Sequence, residues 1–372
     1  MTEAQPAPDH FDVVVVGSGF GGSVAALRLT EKGYRVCVLE AGRRWADDDV
    51  AATSWNLRRL VWAPKLGLTG IQRVHLLRHV VVLAGAGVGG GSLNYANTLY
   101  VPQADSFYRD PQWAGITDWR AELAPYYDQA SRMLGVVQNP TLTPSDEVMR
   151  EVAAELGVGD TFRLAPVGVF FGRDGRREPG VEVDDPFFGG AGPRRRGCTE
   201  IGACLTGCRL NAKNTLVKNY LYLAERAGAD VRPLRTVTAV VPCEDGGWRV
   251  ESVRTGAWAA SRTRRAVTAD HVLLAAGTWG TQQLLHRLKA GGRLPNLSDR
   301  LGVLTRTNSE SLGGATALWR HRNRRDYSRG VAITSSFHPN PTTHVEPVRY
   351  AKGSNAMGLL ATLATRGDGR TP

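Results

Sequence analysis

The sequence predicts an α/β protein with a parallel sheet covered by helices. Three observations predict this class. A buried strand near the N-terminus leads into a glycine-rich turn and a helix, a second glycine-rich stretch follows at 85–97, and another buried strand leads into a glycine and a helix near residue 277. Continuous β-branched runs are typical of strands covered on both faces, as in parallel sheets.

The first unit is a β-α-β arrangement within about thirty residues. We predict a strand at 12–16, a helix at 23–32 that ends at Gly33, and a strand at 34–39 that closes on Glu40. The turn between the first strand and the helix, GSGFGG, fits G-x-G-x-x-G. This combination indicates a Rossmann-type dinucleotide-binding unit.

Each glycine of that turn has a separate role. Gly17 permits the tight turn, Gly19 lets a pyrophosphate approach the backbone, and Gly22 lets the helix pack closely on the strand. Glu40 is placed to accept hydrogen bonds from a ribose 2′-hydroxyl. The pattern alone is equally compatible with NAD and FAD.

The remaining elements follow from periodicity and turn residues. We predict loops and short strands over 160–197, and a helix at 117–134 for which Asp118 is the cap. Further helices are expected at 213–227 and 281–289, and strands at 80–83, 230–241, 248–254, 265–268, 270–276, 331–335 and 343–350.

Composition narrows the classes of partner. The net charge is +11, but 40 of the 46 basic residues are Arg and they are scattered, with the densest groups at 194–196 and 320–325. Neither group has the interleaved aromatics or the motif of a nucleic-acid module, so we expect no nucleic-acid partner. The surplus charge favours peripheral contact with an anionic membrane surface.

The chain shows neither a spanning segment nor a secretory signal. No apolar stretch is long enough for a membrane-crossing helix, and the first ten residues carry acid and proline where a signal peptide needs basic and apolar residues. We therefore expect a cytoplasmic, membrane-peripheral protein.

The second glycine-rich stretch, GAGVGGGSLNYAN at 85–97, bears on the choice of cofactor. A second loop suits a ligand that stays bound and extends across the domain, which favours FAD over NAD. Its small residues allow backbone amides to reach pyrophosphate and flavin, and Asn94 and Asn97 offer side-chain amides. The alternative is a flexible surface loop.

Three motifs in order carry a family resemblance: GSGFGGS with VLEAG, then GAGVGGGSLNYAN, then LLAAGTWGTQQLL. The chain resembles the glucose–methanol–choline (GMC) oxidoreductases, in their cholesterol-oxidase-like branch, from residue 11 to its end. The resemblance implies FAD bound by a domain split in sequence. It assigns 11–100 and 196–300 to that Rossmann-type FAD-binding domain, and 101–195 and 301–372 to an α+β substrate domain with an antiparallel sheet.

The resemblance also implies an activity. The expected reaction is oxidation of an alcohol, with a 3β-hydroxysteroid such as cholesterol as the substrate, hydride transfer to flavin N5, and O2 or another electron acceptor. It implies that the ADP half is held by the first loop and Glu40, the flavin side by the second loop, the adenine by the backbone of residue 237, and the pyrophosphate region by residues 276 and 277. The cofactor-binding residues are then Gly17, Gly19, Phe20, Gly22, Glu40, Gly87, Gly91, Asn94, Asn97, Val237, Ala276 and Gly277.

One substrate-side residue has a catalytic role by the same resemblance. The family's cholesterol oxidases use a substrate-domain glutamate to move a proton when the steroid double bond isomerises from Δ5 to Δ4, and Glu346 falls on a comparable strand. The alternative is an exposed glutamate at a strand end. His338 and His344 are interpreted as surface or packing residues.

The cysteine cluster departs from a known ligand pattern. Cys198, Cys204 and Cys208 approach an iron–sulfur spacing, but Ile201 stands where a second cysteine would be. We interpret them as reduced thiols in a packed turn, without a metal; three thiolates with an outside ligand are the alternative. Cys37 and Cys243 are expected in the core.

By the same resemblance, the family's catalytic histidine and the closing strand of its FAD domain would lie beyond residue 372, so we expect a C-terminally truncated chain; the alternative is that a partner supplies the remainder. Three functions stay open: an FAD-dependent sterol or alcohol oxidase, a non-catalytic FAD-binding fragment of such an enzyme, and an NAD-dependent dehydrogenase. The last leaves the second glycine loop unexplained.

Overall fold

The computed structural model describes residues 9–258, 263–314 and 325–360. Its α-helices, numbered in chain order, are α1 (Phe20–Glu31), α2 (Leu57–Leu60), α3 (Asp105–Tyr108), α4 (Trp119–Met133), α5 (Pro144–Glu155), α6 (Tyr220–Arg226) and α7 (Gly277–Ala290). The strands of the first part of the chain are β1 (Asp9–Val16), β2 (Val36–Leu39), β3 (Trp62–Ala63), β4 (Leu68–Thr69), β5 (Gln72–Leu76), β6 (Val81–Gly85), β7 (Val137–Gln138), β8 (Arg163–Leu164), β9 (Pro166–Val167), β10 (Glu182–Val183) and β11 (Arg195–Arg196). Those of the second part are β12 (Asp230–Arg232), β13 (Arg235–Pro242), β14 (Trp248–Arg254), β15 (Arg265–Leu274), β16 (Ser335–Asn340) and β17 (Thr343–Val345).

The central sheet has the order β12-β2-β1-β15-β14-β13. Strands β12, β2, β1 and β15 are parallel, and β14 and β13 continue the sheet antiparallel. The sheet combines strands from 9–39 with strands from 230–274, so it is built from two separate parts of the chain. This agrees with the predicted α/β class; the four domain boundaries stay predictions.

Helices cover both faces of this sheet, because successive residues of β1 point to opposite sides. Val13 and Val15 pack with residues of α1 and α6, whereas Val14 and Val16 pack with Leu284 and Leu288 of α7. All four valines are buried. The unbroken valine run is thereby explained, since neither face of the strand meets water.

A second region contains the antiparallel sheet β17-β16-β8, as predicted. Helix α5 packs on β16 and begins with a capping box. In this box the Asp146 carboxylate accepts hydrogen bonds from the backbone N–H and the hydroxyl of Thr143. The fully buried Asp146 carboxylate also accepts hydrogen bonds from Thr334 and Ser335, which joins the start of α5 to the segment at the start of β16. Helix α5 was not among the elements predicted from the sequence.

Several predicted elements are confirmed with small shifts. Helix α4 begins directly after Asp118, whose carboxylate accepts from the backbone N–H groups of residues 120 and 121. Gly33 lies just past α1 with φ +89°, a conformation that suits glycine. Strand β14 has the predicted bounds, and 160–197 consists of loops and two-residue strands.

The predicted strand at 230–241 was wrong in one respect, because it is two strands on opposite edges of the sheet. Pro233 has no N–H to give to a ladder, and Leu234 has φ +56°, so the chain turns between β12 and β13. Conversely, the separate strands predicted at 265–268 and 270–276 are one strand, β15, which pairs with both β1 and β14.

Four other predicted elements had wrong bounds. The helix predicted at 213–227 is α-helical only in α6, because the backbone carbonyls of residues 212 and 213 bind the buried Arg195 guanidinium. Helix α7 begins four residues before its predicted start. The strand predicted at 331–335 overlaps the observed strand β16 only at residue 335. Of the strand predicted at 343–350, only 343–345 is strand. Residues 315–324 and 361–372, which include most of the basic group at 320–325 and the chain end, lie outside the described residues.

Candidate functional site

The first glycine loop joins β1 to α1 in a turn with almost no spare space. A side chain on Gly17, which has φ +101°, would lie 2.5 Å from the carbonyl oxygen of Ala275. A Cβ on Gly22 would lie 2.0 Å from the carbonyl oxygen of Gly17. These two glycines therefore permit the turn and the close packing of helix on strand, as the motif predicts.

Gly19 differs, because the space beside it is open. It is the residue before α1, and a Cβ built on it would meet no atom of the described residues within 4 Å. The first N–H groups of a helix have no partner inside the helix and carry the positive end of its dipole. The open space at Gly19 is thus suited to a phosphate group.

The second glycine loop, defined here as residues 85–97, packs directly against the first. A Cβ on Gly90 would lie 2.7 Å from Gly19 Cα, whereas Gly91 has open space beside it. The buried Ser18 hydroxyl accepts a hydrogen bond from Gly89 N at 3.1 Å. The two glycine stretches, about seventy residues apart in sequence, therefore form one continuous wall.

Glu40 directly follows β2 and lies at this junction. Its buried carboxylate accepts from Ser18 N at 3.0 Å, Ser18 Oγ at 2.7 Å and Gly42 N at 2.7 Å. These hydrogen bonds connect Glu40 to Ser18 in the first glycine loop and to Gly42, two residues after Glu40. A carboxylate has about four acceptor positions, so Glu40 can still accept the predicted hydrogen bond from a ribose hydroxyl.

The other predicted contacts border the same wall. Ala276 and Gly277 precede and begin α7, beside Gly17, and a Cβ built on Gly277 has no atom within 4 Å in the part of the chain that the structure describes. Val237 lies in β13 next to a register shift between residues 237 and 239. The start of β13 is fixed near Glu40, because Arg235 N donates to the Glu40 carbonyl at 2.8 Å.

The C-terminal half of the second loop supplies the two predicted amides. Asn94 ends a short 3-10 turn and is half-buried. Asn97 has φ +73° and is fully buried, and apart from an interaction with the Cys204 thiol neither heteroatom of its amide makes a well-formed hydrogen bond with a described residue. Between them Tyr95 packs edge-on against Phe20, with ring centroids 5.9 Å apart, so Phe20 also joins the two loops.

This fold and this wall of glycines define a dinucleotide-binding protein. The family description "FAD dependent oxidoreductase" (DAO) matches residues 12–340. The chain belongs to this family, and its cofactor is FAD. The open spaces at Gly19, Gly91 and Gly277 fit such a group, so the prediction of FAD over NAD is confirmed.

Two similar proteins carry the name cholesterol oxidase. The chain is 64% identical over 362 residues to a cholesterol oxidase of Mycobacterium tuberculosis, covering 97% of this chain and 62% of that protein. It is 44% identical over 362 residues to a cholesterol oxidase of Acinetobacter baumannii, covering 96% and 64%. A GMC-type oxidoreductase of M. tuberculosis is 30% identical over 308 residues, covering 82% and 43%. The resemblance to the GMC oxidoreductases is confirmed, and the chain spans less than two thirds of the length of these relatives.

Glu346 follows β17 in a cluster of polar side chains on the substrate-side sheet. Its Oε1 lies 3.6 Å from His344 Nε2, and the rings of His344 and Tyr100 are 5.4 Å apart. Burial raises the pKa of the Glu346 carboxyl, against the opposing effect of His344 and Tyr100. Four atoms of this cluster are shielded from solvent without a well-formed hydrogen bond to another described residue: Tyr100 Oη, Ser336 Oγ, His338 Nε2 and Glu346 Oε1.

Tyr100 places this cluster near the second glycine loop. It is three residues after Asn97, and three residues of extended chain span roughly 10 Å. His338 and His344 pack with ring centroids 5.8 Å apart, which agrees with their interpretation as packing residues, although they also border Glu346. Tyr100 and Ser336 were not predicted from the sequence, because isolated hydroxyl side chains give no sequence signal.

The cysteine cluster lies in an apolar core rather than in an open site. Cys204 is buried in a 3-10 turn, and Cys198 and Cys208 pack against the same cluster. All three thiols are free, and burial raises the pKa of Cys198 and Cys204. Within the described part of the chain, no group of three or more His, Cys, Asp or Glu side chains could hold a metal ion. Cys37 is buried as expected, whereas Cys243 is half-buried beyond β13.

The basic residues at 194–196 are engaged within the protein. Arg194 pairs with Glu182 and Asp184, and Arg196 pairs with Glu182. Arg195 is buried, and its guanidinium donates to backbone carbonyls. In the described ranges no helix is both long and apolar enough to cross a membrane. Peripheral membrane contact stays a prediction.

Proposed function

We propose that the protein is an FAD-dependent oxidase of a 3β-hydroxysteroid such as cholesterol, with O2 as the electron acceptor. The observation that carries this proposal is the joining of two glycine loops into one wall beside a polar, half-buried substrate-side cluster. The 64% identity to a protein named cholesterol oxidase supports the choice of substrate class.

The FAD-binding role is assigned to the two loops. We infer that the pyrophosphate lies at Gly19, where the N-terminus of α1 supplies N–H groups, with Ala276 and Gly277 at its border. Glu40 would hold the ribose, and the backbone at Val237 the adenine. Gly87, Gly91, Asn94 and Asn97 would line the flavin side. When bound, FAD supplies the hydride acceptor for the alcohol carbon.

We further propose that Glu346 moves a proton in the isomerisation of a Δ5-3-ketosteroid to the Δ4 isomer. The carboxylate takes a proton from C4 and returns it to C6, so the step needs no oxidant and changes no atom count. A raised pKa suits this task, because the group must both accept and release a proton near neutral pH. The neighbouring His344 stabilises the carboxylate when the imidazole is protonated.

Two assays on the chain test these roles separately. Peroxide release is followed with cholesterol, and the rise of enone absorbance with the Δ5-ketone. We expect the second signal to fall by about 10²–10⁴-fold in Glu346→Gln, the usual range for loss of a general acid–base group. Glu244→Gln, which changes an exposed carboxylate, is the matched control.

The outcomes separate the proposals. Full isomerisation by Glu346→Gln would contradict the role of that carboxylate. Absence of peroxide with cholesterol, in protein that contains FAD and oxidises another alcohol, would contradict the sterol assignment. Reduction of NAD by the alcohol without flavin would favour the dehydrogenase alternative.

A further inference from the structure

Lys213 is a buried cation whose three hydrogen bonds all go to backbone carbonyls. Its side chain is 1% exposed. The Nζ donates to the carbonyl oxygens of Leu93 at 3.0 Å, Tyr95 at 2.8 Å and Cys204 at 2.9 Å. It also lies 4.5 Å from the centre of the Tyr95 ring.

This arrangement matches an ammonium group. An ammonium has three N–H donors and no acceptor, so three carbonyls satisfy it completely. A neutral amine would leave one carbonyl unpaired, and an unpaired buried polar group is costly. Among the described residues, no carboxylate forms an ion pair with Lys213, in contrast to Lys218, which pairs with Asp47 at 2.7 Å. The carbonyl dipoles and the Tyr95 ring are therefore what compensates the charge.

Two of these carbonyls belong to the second glycine loop. They flank Asn94, and the third belongs to the turn that carries the cysteines. Because a peptide unit is planar and trans, holding a carbonyl also fixes the direction of the following N–H. Lys213 thus fixes the orientation of the peptide units that join Leu93 to Asn94 and Tyr95 to Ala96. The ring of Tyr95 meets Phe20 of the first loop.

We propose that Lys213 is a positioning residue that holds residues 93–95 in the conformation that receives FAD, with the cysteine turn as its anchor. The proposal rests on the proposed role of the second loop in FAD binding. It also gives the cysteine segment a function: the turn presents the Cys204 carbonyl to Lys213, while the thiols fill the core behind it.

The test compares FAD affinity in two buried-lysine variants of the full chain. Lys213→Met removes the charge and the donors but keeps the side-chain length, and Lys218→Met is the matched control from the same segment. Burial lowers the pKa of Lys213 to about 7. Binding is therefore measured at about pH 6, where most of the ammonium is retained. The readouts are quenching of flavin fluorescence on binding and hydrogen exchange of residues 85–97 in the FAD-free protein.

We expect Lys213→Met to weaken FAD binding at least about tenfold and to speed exchange in the second loop, with a change of less than about threefold in affinity for Lys218→Met. Equal affinity of wild type and Lys213→Met would overturn the proposal. Failure of the wild type to bind FAD would instead contradict the proposed function.

A second variant tests the charge itself and covers the case in which Lys213→Met does not fold. Lys213→Ala is titrated with propylammonium and, in parallel, with propanol as a neutral molecule of similar size. Restoration of FAD affinity by propylammonium alone supports the proposal. Equal restoration by propanol, or none by either in the folded variant, contradicts it.

Discussion

Gly90 and Gly19 lie back to back, so that a Cβ on Gly90 would stand 2.7 Å from Gly19 Cα. This contact joins the second glycine loop to the phosphate turn, and it leaves no space for even a methyl group. Gly90 also has φ +52°, which L side chains adopt at a cost.

Gly90→Ala is therefore expected to push the two loops apart and to weaken FAD binding about tenfold or more, since overpacking costs typically 1–3 kcal/mol. The measurement is the dissociation constant of FAD by fluorescence titration. Gly115→Ala is the control, because a Cβ at that exposed site meets no atom within 4 Å. Unchanged affinity in Gly90→Ala would show that the loops need not touch.

Gly19 and Gly22 are expected to respond in opposite ways to an added side chain. Gly19→Val meets no protein atom at its Cβ, so the FAD-free protein should keep its melting temperature, while the branched side chain occupies the space assigned to pyrophosphate and abolishes binding. Gly22→Ala meets the Gly17 carbonyl at 2.0 Å and should lower the melting temperature even without FAD. Thermal unfolding with and without FAD distinguishes the two effects. FAD binding by Gly19→Val would refute the pyrophosphate assignment.

Asp146 is expected to be a main stabilising residue of the substrate-side region. Asp146→Ala removes a buried carboxylate that accepts from Thr143, Thr334 and Ser335, and it leaves those donors without a partner. The free energy of unfolding should fall by about 3 kcal/mol or more. Denaturant unfolding measures this, with Glu151→Ala on the exposed face of α5 as the control. A loss below about 1 kcal/mol would contradict this role.

Glu346 is expected to impose an acid limb on isomerisation. Its raised pKa means that the carboxylate, which is the active base, forms only at a pH above the ordinary value of 4.5, so the rate should fall as pH drops through this higher value. The raised pKa of Glu346 also makes the stability of the folded protein depend on pH. The folded protein binds the proton more tightly than the unfolded chain, so this group's contribution to stability is lost as pH rises through the folded pKa.

Both effects should disappear in Glu346→Gln. The pH dependence of enone formation and of the melting temperature measures them. If the rate falls only near the ordinary glutamate pKa of 4.5, and not at a higher pH, the assignment of Glu346 as the base is contradicted.

Local sequence signals predicted the central sheet well and the substrate-side region poorly. The valine run of β1 and the glycine spacing before α1 report local geometry, because burial on both faces and a tight turn each restrict residue type. The start of α5 also had a signal, the Thr143–Asp146 capping box, which the sequence analysis did not use.

The remaining errors arise from tertiary contacts that sequence patterns do not contain. The helix at 213–227 loses its first part because Arg195 and Lys213 form hydrogen bonds with distant backbone groups. Likewise, Tyr100 and Ser336 join the Glu346 cluster only through the fold, since 236 residues separate them in the sequence.

The nucleotide carried by the purified protein tests the central claim most directly, that two joined glycine loops bind FAD. The protein is denatured, the released nucleotide is separated by chromatography, and the emptied protein is refolded and titrated with FAD and with NAD. The account predicts release of FAD and tighter binding of FAD than of NAD. Release of NAD, or tighter binding of NAD on reconstitution, would contradict it.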